Sequence, residues 1–285
     1  MDKVYACIDG RSNSDAVIDW GIWSAQRLQG QLEFLHVIER PDAVAEVKDY
    51  SGAIGLGAQE TLLHDLSEHD ARRGRQAREA GRALVAAARA RAEAAGVLHH
   101  DGRLRHGDFV ETVIEMQGDA GLFVLGEHHH AAPGGRVHRE HHVERVIRGV
   151  AAPVLVATTE HFEAPSRVVL AFDGGAASRR SLSRIARHPL LQGLPVLVVR
   201  AGEDTPAARR QLDEACRTLA SEGVRAESEW ARGPAEAVLP ALVKAHKPAL
   251  LVMGAFGHSW LRRLLLGSTT STLLRVSEVP VLVLR

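Results

Sequence analysis

The stretch MGAFGHSWLRRLLLGSTT, residues 253–270, sets glycine at 254, 257 and 267 and hydroxyl residues at 268, 269 and 270. It follows an apolar run, ALLVM (249–253), and leads into TLLRVSEVPVLVLR, which reads as a helix and then a closing strand. The stretch is therefore the joint between a strand and a helix in an α/β domain. Glycine supplies positive φ and lets a ligand come close to the backbone. Serine or threonine at a helix entrance caps free N–H groups, or shares them with a bound anion.

Outward from this joint, strand-like runs alternate with helix-like runs along the whole chain, the pattern of a mostly parallel sheet covered by helices. The pattern is written twice. KVYACIDGRS (3–12) returns as RVVLAFDGGA (167–176), and GQLEFLHVIE (30–39) as GLPVLVVRAG (193–202). RHGDFVETVIE (105–115) returns loosely as ARGPAEAVLPA (231–241), AGLFVLGE (120–127) as PALLVMGA (248–255), and VAAPVLVA (150–157) as SEVPVLVL (277–284). Five matches in one order indicate a tandem duplication. The expected architecture is two tandem open parallel five-stranded sheets with helices on both faces, one in residues 1–160 and one in 166–285. TTEHFEAPS (158–166) is the expected linker. Strands of the second copy are expected near 167–172, 194–199, 224–230, 248–253 and 280–284.

The offset between copies is 164 from Asp9 to Asp173 but 128 from Gly126 to Gly254, so the first copy holds about 36 extra residues near 40–70. Its Gly-rich run at 52–57 does not follow a strand, which argues against a dinucleotide fingerprint. A flexible loop or lid is expected there. The two closing strands, PVLVA and PVLVL, are apolar edges that invite pairing, so the halves are expected to form an internal pseudo-dimer, with a further homodimer left open.

Composition narrows the function classes. The 285 residues carry 35 Lys plus Arg against 35 Asp plus Glu, a net charge of zero that favours neither nucleic acid nor an anionic membrane. Two cysteines, Cys7 and Cys216, make no disulfide framework and fit a reducing cytoplasm. No signal-peptide pattern and no membrane-length apolar run is present, so a cytoplasmic location is expected.

The glycine stretch fits neither G-x-x-x-x-G-K-[ST] nor G-x-G-x-x-G, but it does fit G-x2-G-x9-G-[ST]. With Asp173 ending a strand and the Pro-Val-Leu-Val closing strand, this resembles the universal stress proteins in their tandem form. The resemblance implies an adenine-nucleotide α-hydrolase-like, Rossmann-like fold and ATP, with Mg or Mn as companion cation, in the second half. It maps adenine and ribose contacts to Ala171, Phe172, Asp173, Val199 and Met253. It places Gly254, Gly257, His258, Gly267, Ser268 and Thr269 around the phosphates. Backbone N–H groups at such a joint form an anion nest, aided by the helix dipole. Trp260, Leu261, Leu264 and Leu265 are read as packing residues.

The first copy departs from the pattern. Gly126 matches Gly254, but His129, Arg139 and Glu140 stand where the family has glycine, glycine and serine. A carboxylate there opposes an anion, so ATP is not expected in the first half. Asp9 is read equally well as a helix-capping residue. Thirteen of 16 histidines lie in residues 1–161, with His138, His141 and His142 on one helical face, a candidate metal or pH-sensing group set against a solvated polar loop.

A nucleotide-binding stress-survival or regulatory protein is thus the leading expectation, not an enzyme beyond slow ATP hydrolysis. No nucleophile–base pair or paired carboxylates accompany the glycines. The alternatives are a partner-binding or metal-binding scaffold, and an adenylyl transferase or ATP pyrophosphatase. The last needs H-x-G-H or S-G-G-x-D near a first strand, where IDGRS and FDGGA stand instead.

Overall fold

The structure is a computed structural model that describes residues 3–39, 56–127, 142–254, 273–274 and 276–284, the backbone alone at 56–70 and 177. Among the described residues ten strands form one sheet. In the first half they are β1 (Lys3–Cys7), β2 (Gln31–Ile38), β3 (His100–His106), β4 (Ala120–Gly126) and β5 (Val154–Ala157). In the second half they are β6 (Arg167–Ala171), β7 (Val196–Ala201), β8 (Ala226–Ala231), β9 (Ala249–Gly254) and β10 (Val281–Leu284). The order across the sheet is β3-β2-β1-β4-β5-β10-β9-β6-β7-β8. Every pairing is parallel except β5 with β10, which is antiparallel and sets Leu155 opposite Leu282. The two five-stranded sheets are therefore one continuous sheet, joined by the closing strands.

Strands buried on both faces read as unbroken apolar runs, which explains VLVA and VLVL at the junction. Alternate residues feed two cores. Val4, Ala6, Phe34, Val168, Leu170 and Val252 pack under α1 (Ser14–Leu28), α2 (Leu56–Ala94), α5 (Ala176–Arg187) and α6 (Pro206–Ser221). Tyr5, Phe123, Val169, Leu251, Met253 and Val283 pack on the other side, under α3 (Phe109–Glu115), α4 (His142–Gly149) and α7 (Ala235–Ala245). Leu273 and Leu274, both helical, join that second core.

Helix ends follow their capping residues. Thr205 Oγ1 accepts from the Ala208 N–H at 3.2 Å with Pro206 opening α6, and Gly223 (φ +80) turns the chain after it, as its position in the sequence implies. Asp108 accepts from the Glu111 N–H at 2.8 Å and opens α3. Gly21 brings α1 down onto β1: a Cβ there would lie 2.8 Å from the Ala6 Cβ.

One expectation needs correction. The latter part of the extra segment is not a loop, because the backbone from Leu56 onward is helical and continues to Ala94 as α2. Proline is missing from 56–94, and Leu, Glu, Gln, Arg and Ala outweigh the scattered glycines there. Residues 40–55, including most of the Gly-rich run, lie outside the described residues. The expected linker is packed against both halves. Thr158 Oγ1 donates to the Val279 carbonyl at 2.8 Å, and Phe162 packs edge-on against Trp20 with ring centroids 4.7 Å apart.

Candidate functional site

Parallel register builds the second-half site from strands far apart in sequence. Ala171, the last residue of β6, stands opposite Val199 of β7 on one side and Met253 of β9 on the other. Val199 and Met253 are buried and Ala171 is half-buried, so the three make a small apolar floor at the carboxyl ends of the strands. Gly254 ends β9 beside Leu284 of β10. In doubly wound sheets the ligand crevice opens beyond these ends, at the point where strand order reverses.

Phe172 is not brought to that floor. Its side chain lies in the core under α5 and α6, and its N–H donates to the Val199 carbonyl at 2.9 Å, so only its remaining backbone is left for a ligand. Asp173 is exposed, and its Oδ1 accepts from the Gly175 N–H at 2.8 Å and from the Ser178 hydroxyl. Both contacts fall on one oxygen. Gly174 has φ +73, and a Cβ there would run into Arg200 and Gln211, which bond to each other. Arg179 holds the same turn by donating to the Gly174 carbonyl at 2.7 Å. Arg200 also lies over the Trp230 ring, 5.8 Å from its centroid. This Arg200–Gln211 brace carries no spacing motif and was not legible in the sequence. Gly257, His258, Gly267, Ser268 and Thr269 lie outside the described residues.

The equivalent place in the first half is a cleft of about 380 Å³, lined among others by Cys7, Asp9, His36, Glu39, Phe109 and Gly126. Asp9 Oδ1 accepts from the Arg11 N–H at 3.0 Å, and the Ser14 hydroxyl accepts from the Gly10 N–H at 2.8 Å, so Asp9 helps to shape the turn into α1. His36 Nδ1 lies 2.7 Å from the Ile8 carbonyl, which can only accept, so that nitrogen carries the proton. Burial pushes the Cys7 thiol well up, as an inert core cysteine requires. The repeat offset that pairs Asp9 with Asp173 is the signal that locates this cleft; the contribution of Ala77 and Ala80 from α2 had none. His129, Arg139 and Glu140 lie outside the described residues, as do His128, His130, His138 and His141. Among the described residues no group of His, Cys, Asp and Glu is arranged to hold a metal, and His142 stacks on Phe109 at 5.8 Å.

The sequence profile of the universal stress protein family matches residues 1–158 and 195–285, most of the chain. The chain belongs to the universal stress protein family. It is 30% identical over 288 residues to the universal stress protein Slr1230 of Synechocystis sp., with all of both chains covered. The fold is that of a universal stress protein from Archaeoglobus fulgidus (TM-score 0.64, 18% identity, 100% of this chain and 96% of that one). A functionally unknown protein, PA1789 of Pseudomonas aeruginosa, shares it too (TM-score 0.60, 18% identity, 100% and 92% covered). As a universal stress protein the chain is a tandem one, with family-like sequence in both halves. No helix among the described residues is long and apolar enough to cross a membrane.

Proposed function

We propose that this tandem universal stress protein binds one ATP, in its second half, and serves a regulatory or stress-survival role through binding instead of turnover. The observation that carries the reading is the row Val199–Ala171–Met253, which feeds through Gly254 directly into the three-glycine stretch. The floor is apolar, as a base requires, Asp173 offers a carboxylate for ribose hydroxyls, and glycines with Ser268 and Thr269 suit phosphates. Mg or Mn accompanies the phosphates as a neutralising cation. The first half keeps Gly126 but carries His129 and Arg139 where the second half has Gly257 and Gly267, which is why the reading stops at one site.

Calorimetric titration of the full chain with ATP tests it. One site is expected. Gly257→Arg should weaken it about a hundredfold or more, the equivalent of two lost charge-assisted hydrogen bonds at roughly 1.5–3 kcal/mol each. Absence of binding, or binding untouched by Gly257→Arg, overturns the proposal.

A further inference from the structure

The continuous sheet ends in β3 and β8, whose outer edges pair with no other strand among the described residues. No residue of either strand is buried. Helix α2 packs on β2 and β3, and α6 on β7 and β8, so each sits back from the edge it flanks. The backbone groups that face outward can be identified. The His99 carbonyl and the Gly107 N–H bond to β2, and the Arg225 and Ala231 carbonyls bond to β7. Backbone groups alternate in direction along a strand. Gly102, Leu104 and His106 of β3 therefore turn outward, as do Ala226, Ser228 and Trp230 of β8.

The charged side chains of the two edges share one face of the sheet. Arg103 and Arg105 lie with Tyr5 and Met116, whereas Gly102 lies under Val85 and Arg89 of α2 on the other side. Glu229 bonds to His246 at the end of α7, whereas Trp230 packs on the α5 and α6 core; Glu227, two residues from Glu229, shares its face. These charges have capacity to spare. Arg105 is exposed, and Glu227 is exposed beside Arg225, 3.7 Å away. Arg103 meets Glu33 through Nε and Glu229 meets His246 through Oε2, which leaves two guanidinium nitrogens and one carboxylate oxygen.

Strands β3 and β8 run in opposite directions, because β5 and β10 do. A second copy set beside the first in the same orientation thus brings its β8 antiparallel to β3. With Leu104 opposite Ser228, outward residues meet throughout: Gly102 faces Trp230 and His106 faces Ala226. Between them Arg103 faces Glu229 and Arg105 faces Glu227. A shift of two residues one way sets Arg105 against Arg225 and Asp101 against Glu229, and the other way keeps a single charge pair.

We propose that copies of this chain associate head to tail, β8 of one adding to β3 of the next in the register that opposes Arg105 to Glu227. Main-chain hydrogen bonds hold the edges together, and the opposed charges set direction and register. The contact is heterologous, so it propagates from copy to copy unless the accumulated rotation closes a ring.

Sedimentation velocity of the full chain from 1 to 100 µM tests this, with circular dichroism confirming that each variant is folded. The wild type is expected to grow with concentration past the dimer. Arg105→Glu alone and Glu227→Arg alone should each weaken association at least tenfold. An equimolar mixture of the two variants should recover it to within about threefold, since unlike chains then oppose unlike charges at every contact. Ser228→Pro should abolish assembly and keep the fold, because the Ser228 N–H points away from β7. A wild type that is monomeric at 100 µM or stops at two copies overturns the proposal. Single variants that assemble like the wild type, or a mixture that fails to recover, overturn it equally.

Discussion

Ala171 and Met253 lie side by side at the carboxyl ends of β6 and β9, though 82 positions separate them in the chain. Both side chains are apolar, and with Val199 they form one continuous apolar row across three strands. Asp173 follows Ala171 by two residues and is exposed.

Replacing Asp173 with alanine should weaken ATP by about tenfold, the loss of one hydrogen bond to a charged group at roughly 1.5 kcal/mol. Asp9→Ala, at the equivalent place in the first half, should leave ATP affinity unchanged. Titration calorimetry on both full-length variants checks the contrast, and equal losses would place the nucleotide elsewhere.

The junction of the halves is tested at Leu282. It pairs with Leu155, and both are fully buried. Leu282→Ala removes three carbons from a two-sided core and should cost about 2–5 kcal/mol, read as a lowered urea midpoint with an unchanged slope.

Gly21→Val should destabilise by about 1–3 kcal/mol. A Cβ at Gly21 would sit 2.8 Å from the Ala6 Cβ and 3.3 Å from the Leu32 Cδ1, so α1 must lift from β1 and β2. Thermal unfolding measures it; a variant as stable as the wild type would show that α1 moves away freely.

Alkaline pH should expose Tyr5. Burial, and then its bond to Asp119 at 2.8 Å, push its pKa from 10.0 up to about 12. Between those values the folded chain keeps a proton that the unfolded chain has released, so this contribution is whole below pH 10 and is lost as pH rises toward 12. Tyr5→Phe should therefore flatten the fall in stability across this window. Denaturant titrations at pH 9 to 12 check it, and identical slopes for both proteins would refute the assignment.

Much of this arrangement was legible because it depends on repetition and register. Apolar strands of five to eight residues announce themselves, and the double pattern aligned Asp9 with Asp173 and Gly126 with Gly254 before any coordinates. The row of Val199, Ala171 and Met253 follows from the same parallel order. What escaped reading depends on contacts without spacing. Phe172 sits next to two site residues in sequence, but strand alternation turns it into the opposite core. The brace of Arg200 on Gln211 joins a strand to a helix by side-chain reach alone. Leu56 to Asp70 looked like a loop because it had no counterpart in the second copy, whereas its own residues favour a helix.

Reversal of strand direction between β5 and β10 turns the two halves head to foot. The carboxyl ends of β1 and β4 therefore emerge at one margin of the sheet, and those of β6 and β9 at the opposite margin. A partner seated at one crevice faces away from a nucleotide held at the other. The halves meet along the ladder of Val154, Leu155 and Val156 against Val283, Leu282 and Val281, and again where Arg27 of the first half donates to the Leu190 carbonyl at 2.7 Å. A slip of one residue there would swap the side chains of a strand between the two cores. The junction thus sets the two mouths back to back, at opposite margins of one continuous sheet.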